Sequence, residues 1–539
     1  METLNLTAPD KMSLFTDAKL KASIFNDVLG PVMRGPSSSH TAASWRIARI
    51  AVQILDDELA NALVEFDRHG VWAFNYAEQG TALGMNAGLL GIEMTDEKIL
   101  ELDAIARKLS VTIEYSISDF ETDHPNTVRL TLKGRNGKNL TLIGVSTGGG
   151  MFEIRKISDF PVKTFGDDHE VVVFFKRELS ADFRKLIEQE CPPNCYPGWY
   201  RKNDRDLLIV QSSKEIPDKF ILDIANYDEI QSAVKVAPVM PIVRGNEKEY
   251  PFDSVQSMLN YSKAENLSLG EVGVIYEQCR SGLEKEEVVM KMKELVLIIE
   301  NSISKGLGGT VFKDRVLNQQ SHLIGKSVTE GRLLSDDLTN RIIANVSALM
   351  ESKSSLGVIV AAPTAGSCGA LGGTVKAIAD YRQLDEEKKI LAYFAAGMIG
   401  VFIAEGPGFS AEAFGCQVEC GAASSMTAAA LAEIAGGNVK QAVDAASMAL
   451  QNMIGLICDP IADRVEAPCL GKNISAAMNA LSSSTMALSG FDALIPLDQV
   501  IQTVYNVGKT LPFELRCTGK GGLSVTPRAL EIKQQLNRK

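Results

Sequence analysis

Apolar residues recur at helical spacing over 41–59, then at the two-residue spacing of strands over 63–66, 112–115, 127–132 and 140–145. Asn136-Gly137 falls between the last two runs, which predicts a hairpin with both turn residues at positive φ. From 160 to 243 the pattern changes: strands at 171–175, 206–211 and 233–239 accompany a charged helix at 181–189. The stretch RGNEKEYP, 244–251, is polar, charged and closed by proline, as linkers are. Beyond it the period is helical at 254–265, 271–281, 285–305 and 336–353. Helices at 424–435 and 439–457 are apolar nearly all round and so belong in a core. Gly436-Gly437-Asn438 stops the first and caps the second.

Composition narrows the function classes. A chain of 539 residues has room for several domains and a large core. Its net charge of −12, with no basic block, argues against a nucleic-acid or anionic-membrane surface. The opening METLNLTAPDKMSLFTDAKLKAS lacks a basic region followed by an apolar one, so a cytoplasmic protein is expected. Two uncharged stretches, 356–375 and 391–404, raise the question of a membrane. Pro363 and five glycines interrupt the first and the second is short, so both read as buried core.

In a reducing compartment the nine cysteines are core residues, metal ligands or nucleophiles rather than disulfides. Six of them, Cys368, Cys416, Cys420, Cys458, Cys469 and Cys517, fall in the last third, while Cys191 and Cys195 form a separate CPPNC. Four loops of small residues carry the candidate chemistry: GPSSSHT (35–41), APTAGSCG (362–369), GCQVECG (415–421) and CDPIADRVEAPC (458–469). Small residues let backbone N–H groups approach a ligand, and neighbouring hydroxyls bond carboxylates or phosphates. His40 is either an acid–base group or a cap on the helix that follows it. Cys416 precedes Cys458 by 42 residues and Cys469 follows by 11. Structural zinc favours four ligands in short knuckles, whereas three thiolates leave one iron of a [4Fe–4S] cluster open as a Lewis acid.

These motifs, in this order, resemble the iron–sulfur-dependent L-serine dehydratases, or L-serine ammonia-lyases. GPSSSHT, DHPN (123–126) and STGGGMFEI (146–154) look like the family's β portion. SVQSMLNYSKAENLSLGEV (254–272), APTAGSCG, GCQVECG, CDPIADRVEAPC and LRCTGKGGL (515–523) look like its α portion. The resemblance implies an α+β fold: a β-like α/β domain (1–160), a small ACT-like α/β segment (161–243), a linker (244–253) and an all-helical catalytic domain (254–539). It implies a [4Fe–4S] cluster on Cys416, Cys458 and Cys469, with Cys368 and Cys420 as packing residues. It implies conversion of L-serine to pyruvate and ammonia, with His40 as base. Ser37, Ser38, Ser39, Thr41, His124, Thr364 and Ser367 would hold the amino acid. The expected partner is a small-molecule amino acid, not a nucleic acid or membrane, and the expected assembly is a homodimer.

The sequence departs from the family in three places. The family's GHGTD reads EQGTA here, putting Gln79 and Ala82 where His and Asp are usual, and NQQSHLI (318–324) replaces a GLTGGD-like segment. Some members end in a cysteine that caps the fourth iron; this sequence ends in LNRK, which leaves Cys517 or Cys420 as stand-ins. L-threonine and L-cysteine stay open as substrates. A pyridoxal-phosphate dehydratase, with Gly148-Gly149-Gly150 as a phosphate cup, would leave the cysteine spacing unused. An iron–sulfur amino-acid sensor would leave the SSSHT loop unexplained.

Overall fold

The computed structural model of the chain describes residues 21–245, 250–312 and 315–537. Most of the stretch weighed above for a signal, residues 1–20, and 246–249 of the expected linker lie outside the described residues, as does the final Arg538-Lys539. The fold is α+β, with its two larger sheets in the first half and helices dominating the second.

One sheet has six strands, in the order Thr112–Ser118, Leu59–Asp67, Thr127–Gly134, Asn139–Gly148, Met151–Ile157 and Phe160–Thr164. Only the first two neighbours are parallel. Leu130, Leu132, Leu140 and Leu142 bury one face in a core shared with the helix Ala43–Leu55. The hairpin at Asn136-Gly137 forms, with Lys133 opposite Asn139, but its connection differs from the predicted turn. It spans four residues, and only Gly137 takes a positive φ, of 89°. Asn136 instead bonds Asp57, through its backbone N–H at 2.9 Å and its Nδ2 at 2.7 Å. A two-residue turn is what demands two left-handed positions.

Residues 169–236 form a β-α-β-β-α-β unit. Its strands run Ile230–Val236, His169–Phe175, Arg205–Ser212, Cys195–Lys202, all antiparallel. Alternation splits them between two cores, because successive side chains leave a strand on opposite faces. Val171, Val173, Phe175, Leu208 and Val210 pack on the unit's own helices, Ala181–Glu190 and Asp218–Ile224. Val172, Leu207, Ile209 and Val236 enter the core of the six-stranded sheet. The strand Cys195–Lys202 had no counterpart in the sequence pattern. It is the edge strand, where Pro197 and exposed polar residues are tolerated.

Among the described residues the second half is helical but for one strand, which corrects the expectation of an all-helical domain. Val358–Val360 pairs antiparallel with Val32–Arg34 from the chain's first segment. That segment lies in the core of the second half: Ile24, Phe25, Val28 and Leu29 are buried among helices. Glu277 receives the Ser23 hydroxyl and the Ile24 N–H, each at 2.7 Å. Helices start at the polar caps Ser254, Ser268, Asp336 and Asn438, the last as the sequence predicts, while the helix expected from 271 begins at Leu269. The stretch 356–375 resolves into the strand 358–360, a loop and the helix Cys368–Arg382, and 391–404 lies inside the helix Glu386–Glu405. No helix among the described residues is long and apolar enough to cross a membrane.

Gly400, on Glu386–Glu405, admits the first segment: a Cβ there would lie 2.1 Å from Cγ1 of Val28. Helix propensity alone would make Gly400→Ala stabilising by about 1 kcal/mol. The contact predicts the opposite sign, a loss of about 1–3 kcal/mol, read from the denaturation midpoint; a raised midpoint would contradict this packing.

Candidate active site

Three helices each begin with a cysteine: Cys368–Arg382, Cys420–Ile434 and Cys469–Leu488. Cys416 opens the short turn Cys416–Val418 just before the second. The unpaired N–H groups and dipole at a helix N-terminus favour thiolate over thiol. Cys458 is held by strand-like bonds to the chain's last loop, its N–H to the Leu515 carbonyl at 2.9 Å and its carbonyl to the Cys517 N–H at 2.8 Å. The loop 458–469 closes through the Ile461 N–H and the Ala467 carbonyl, 2.9 Å apart. Asn473 ties it to APTAGSCG, accepting from the Ala370 N–H at 3.0 Å and donating to the Gly366 carbonyl at 2.8 Å.

Cys416, Cys420, Cys458, Cys469 and Cys517 are all buried and free of disulfides. The neighbouring Cys420 thiol, helped by the Lys472 ammonium, holds Cys416 down at about 7 despite its burial. Cys517 neighbours Cys458, but here both thiols are pushed up, Cys458 by Cys517 and burial, and Cys517, against the lowering effect of Cys458, by burial. Burial pushes Cys469 up to about 12, and the charge of Cys416 adds to the rise. Lys472 sits between Asp459 Oδ1 at 2.7 Å and the Ile457 carbonyl at 2.8 Å, and the nearby Cys416 and Cys458 strengthen its hold on its proton. Among the described residues no three Cys, His, Asp or Glu side chains form a ready single-ion site.

The GPSSSHT loop faces this group from the other half of the chain. Residues Ser38–Ala42 form a wide turn and the helix proper starts at Ala43, so His40 lies inside the turn and caps nothing. Its ring is fully buried. Nε2 is 3.0 Å from Asn75 Oδ1, while Nδ1 is 3.0 Å from Ser37 Oγ, 3.1 Å from Ser39 Oγ and 3.5 Å from Glu412 Oε1. Asn75 Nδ2 donates to the Cys517 carbonyl, so its Oδ1 must accept from His40, which puts the imidazole proton on Nε2. Ser39 donates to Glu412 at 2.8 Å, leaving Ser37 as donor to Nδ1. Burial lowers the His40 pKa despite Glu412 and Asn75, so the ring is neutral at neutral pH.

The other expected residues fall around this pair of loops. Ser38 Oγ accepts the Ala365 N–H at 3.1 Å, joining GPSSSHT to APTAGSCG. Thr364 and Ser367 bond each other at 3.0 Å, and Thr364 also reaches Glu419, whose carboxyl is pushed well up by burial and by Cys416 and Glu412. His124 feels the Glu412 charge, and its Nδ1 accepts the Asn126 N–H at 3.2 Å. Thr41 turns away, toward the Gln79 carbonyl at 3.4 Å. The glycine turn at 148–150 is filled by protein rather than open to a phosphate: a Cβ on Gly148 would meet Ser410 N at 2.4 Å, and one on Gly150 would meet Pro31 Cδ at 2.9 Å. Cys191 and Cys195 lie in the β-α-β-β-α-β unit, outside this group.

Residues 223–524 match the family model for the serine dehydratase alpha chain. The chain belongs to the serine dehydratase family. Its alpha portion is 34% identical over 285 residues to a probable L-serine dehydratase alpha chain of Bacillus subtilis, covering 53% of this chain and 95% of that one. It is 33% identical over 263 residues to the L-serine dehydratase alpha chain of Peptoniphilus asaccharolyticus, 48% of this chain and 90% of that. An L-serine dehydratase of Streptomyces coelicolor is 25% identical over 503 residues, 91% of this chain and 96% of that one, and so spans both halves.

Glu412, Glu419 and Asn75 were not singled out in the sequence, whereas Cys420 and Gln79 were named there without the neighbours they have here. Cys420, read as packing, is buried in a small apolar cluster beside Cys416. Glu412 and Glu419 flank GCQ, and a carboxylate in so apolar a stretch was the available signal. Asn75 orients His40, and Gln79 approaches Cys517, its Nε2 3.5 Å from the sulfur. Burial also lowers His124 to about 4. An unfolded histidine takes up its proton near pH 6.5, so stability should fall as pH drops from there toward 4, by at most about 1.4 kcal/mol per pH unit for each such group. His124→Gln should flatten this slope in denaturant titrations between pH 7 and 5, and an unchanged slope would contradict the buried neutral ring.

Proposed function

We propose that the chain is an L-serine ammonia-lyase, converting L-serine to pyruvate and ammonia, with a [4Fe–4S] cluster on Cys416, Cys458 and Cys469. The observation that carries this is the meeting of buried, free thiols with the buried His40–Glu412 pair, contributed by opposite halves of the chain. The substrate is inferred from the names of the relatives, one of which matches nearly the whole chain.

The donor set fits the cluster. Three thiols from separate loops have their negative charge offset by Lys472 and by helix N-termini. A cluster is several ångströms across and takes its thiolates from further apart than a single ion does. Three protein ligands leave one iron open, and when bound the cluster supplies a Lewis acid for the serine hydroxyl.

The chain's own residues do the rest. His40 Nδ1 takes the Cα proton, Glu412 stabilises the imidazolium so formed, and Asn75 holds the ring in its tautomer. The leaving hydroxyl departs as water, and the aminoacrylate that remains tautomerises and hydrolyses to pyruvate and ammonia. Ser37 releases Nδ1 and donates to the carboxylate together with Ser38, Thr364 and Ser367, Ser39 keeps its bond to Glu412 beside them, His124 lies next to this group and Thr41 anchors the loop. The β-α-β-β-α-β order supports reading 161–243 as ACT-like, and the assembly is proposed as a homodimer.

Cys416→Ser, Cys458→Ser and Cys469→Ser should each lose iron and turnover after anaerobic reconstitution, while Cys191→Ser and Cys195→Ser keep both. Full iron content and activity in any of the first three removes that residue from the ligand set. His40→Asn should lower kcat by roughly 10²–10⁴ with iron content and absorbance unchanged. Near-normal turnover would exclude His40 as base. Assays with L-serine, L-threonine and L-cysteine rank the substrates.

A further inference from the structure

A second cavity, of about 480 Å³, lies away from the thiols where three parts of the chain meet. Its walls come from the first segment and the helix Ala43–Leu55, from 237–242 leaving the β-α-β-β-α-β unit, and from the helix Lys285–Gly308. The volume suits a small organic ligand. Much of the lining is apolar, including Phe25, Leu29, Val32, Met94, Val239 and Ile298.

Its polar groups are mostly cationic. Arg46 is 1% exposed; its Nη1 donates to the Gly150 carbonyl at 2.6 Å, but its Nε is buried with no partner. A buried guanidinium nitrogen without an acceptor is costly, which makes it a marker for a missing anion. Asp27, the acid that offsets Arg46 electrostatically, already accepts the Ser23 N–H at 2.8 Å. Arg49 and Lys291 line the same cavity, and neither forms an ion pair among the described residues. Gln53 is occupied, bonding the Ala237 N–H at 2.7 Å and its carbonyl at 3.3 Å. The two acids of the lining, Glu93 and Glu294, are exposed.

We propose that this cavity is a second ligand site, for a carboxylate carried on a compact apolar body. The carboxylate bonds Arg46 and Arg49 with Lys291 near, and the body fills the apolar wall. Such a ligand touches all three parts at once and so stabilises their arrangement. The proposal is independent of the cluster and of the reaction assigned above.

Phenylacetate is the probe, titrated calorimetrically into the full-length protein, with benzyl alcohol as an uncharged control of similar size. The expected result is saturable binding of phenylacetate, at least tenfold tighter than that of benzyl alcohol, and a rise in unfolding temperature with ligand concentration. Arg46 is too buried to remove safely, so the variants are Arg49→Ala and Lys291→Ala. Each should weaken phenylacetate at least tenfold while leaving turnover of L-serine without ligand unchanged. No saturable binding, equal binding of the alcohol, or unchanged affinity in both variants would overturn the proposal.

Discussion

On the proposed reading several thiols must sit in an apolar core and still carry negative charge, and the second half of the chain supplies groups that meet that demand. Burial is the main reason that thiols such as Cys368 and Cys469 stand at about 12. Against this the fold directs helix N-termini at the site and sets Cys420 and Lys472 beside Cys416, which is held at about 7. The Ala- and Ser-rich helices follow from the same demand. Small side chains let Cys420–Ile434 approach its neighbours closely, and Ser424 and Ser425 are satisfied by carbonyls of adjacent helices at 2.8 Å.

The site needs both halves of the chain. The thiols and Glu412 come from the helical part, whereas His40 and its Asn75 partner come from the part built on sheets. The halves are joined by more than the contact at the site. The first segment runs through the helical core, and its strand 32–34 pairs with 358–360, next to APTAGSCG. The same strand leads directly into GPSSSHT. The loop that carries the proposed base is therefore held at its start by the scaffold that holds the thiols.

What was legible in the sequence is what depends on neighbours along the chain. The cap at Asn438 and the helical periods that begin near Ser254 and Asp336 follow from local residues, and the buried stretches 356–375 and 391–404 from their lack of charge. Cys416, Cys458 and Cys469 are proposed as ligands through the family resemblance of their spacing and flanks. Asn75 lies 35 residues from His40, and Gln79 lies 438 from Cys517, so no periodicity connects either pair. Cys420 was read as packing; it is buried in an apolar cluster, and its closeness to Cys416 arises only once the turn 416–418 has formed. The strand 195–202 was missed because edge strands tolerate residues that a central strand rejects. The burial of Ile24 and Val28 depends on helices hundreds of residues away.

The central claim is that three thiolates leave one iron of a cluster open to the substrate hydroxyl. Mössbauer spectroscopy of anaerobically reconstituted, iron-57-labelled protein, recorded with and without L-serine, tests it most directly. The account predicts a [4Fe–4S] spectrum in which L-serine alters the signal of a single iron and leaves the others unchanged. A protein that assembles no such cluster, or a spectrum indifferent to saturating L-serine during active turnover, would contradict it.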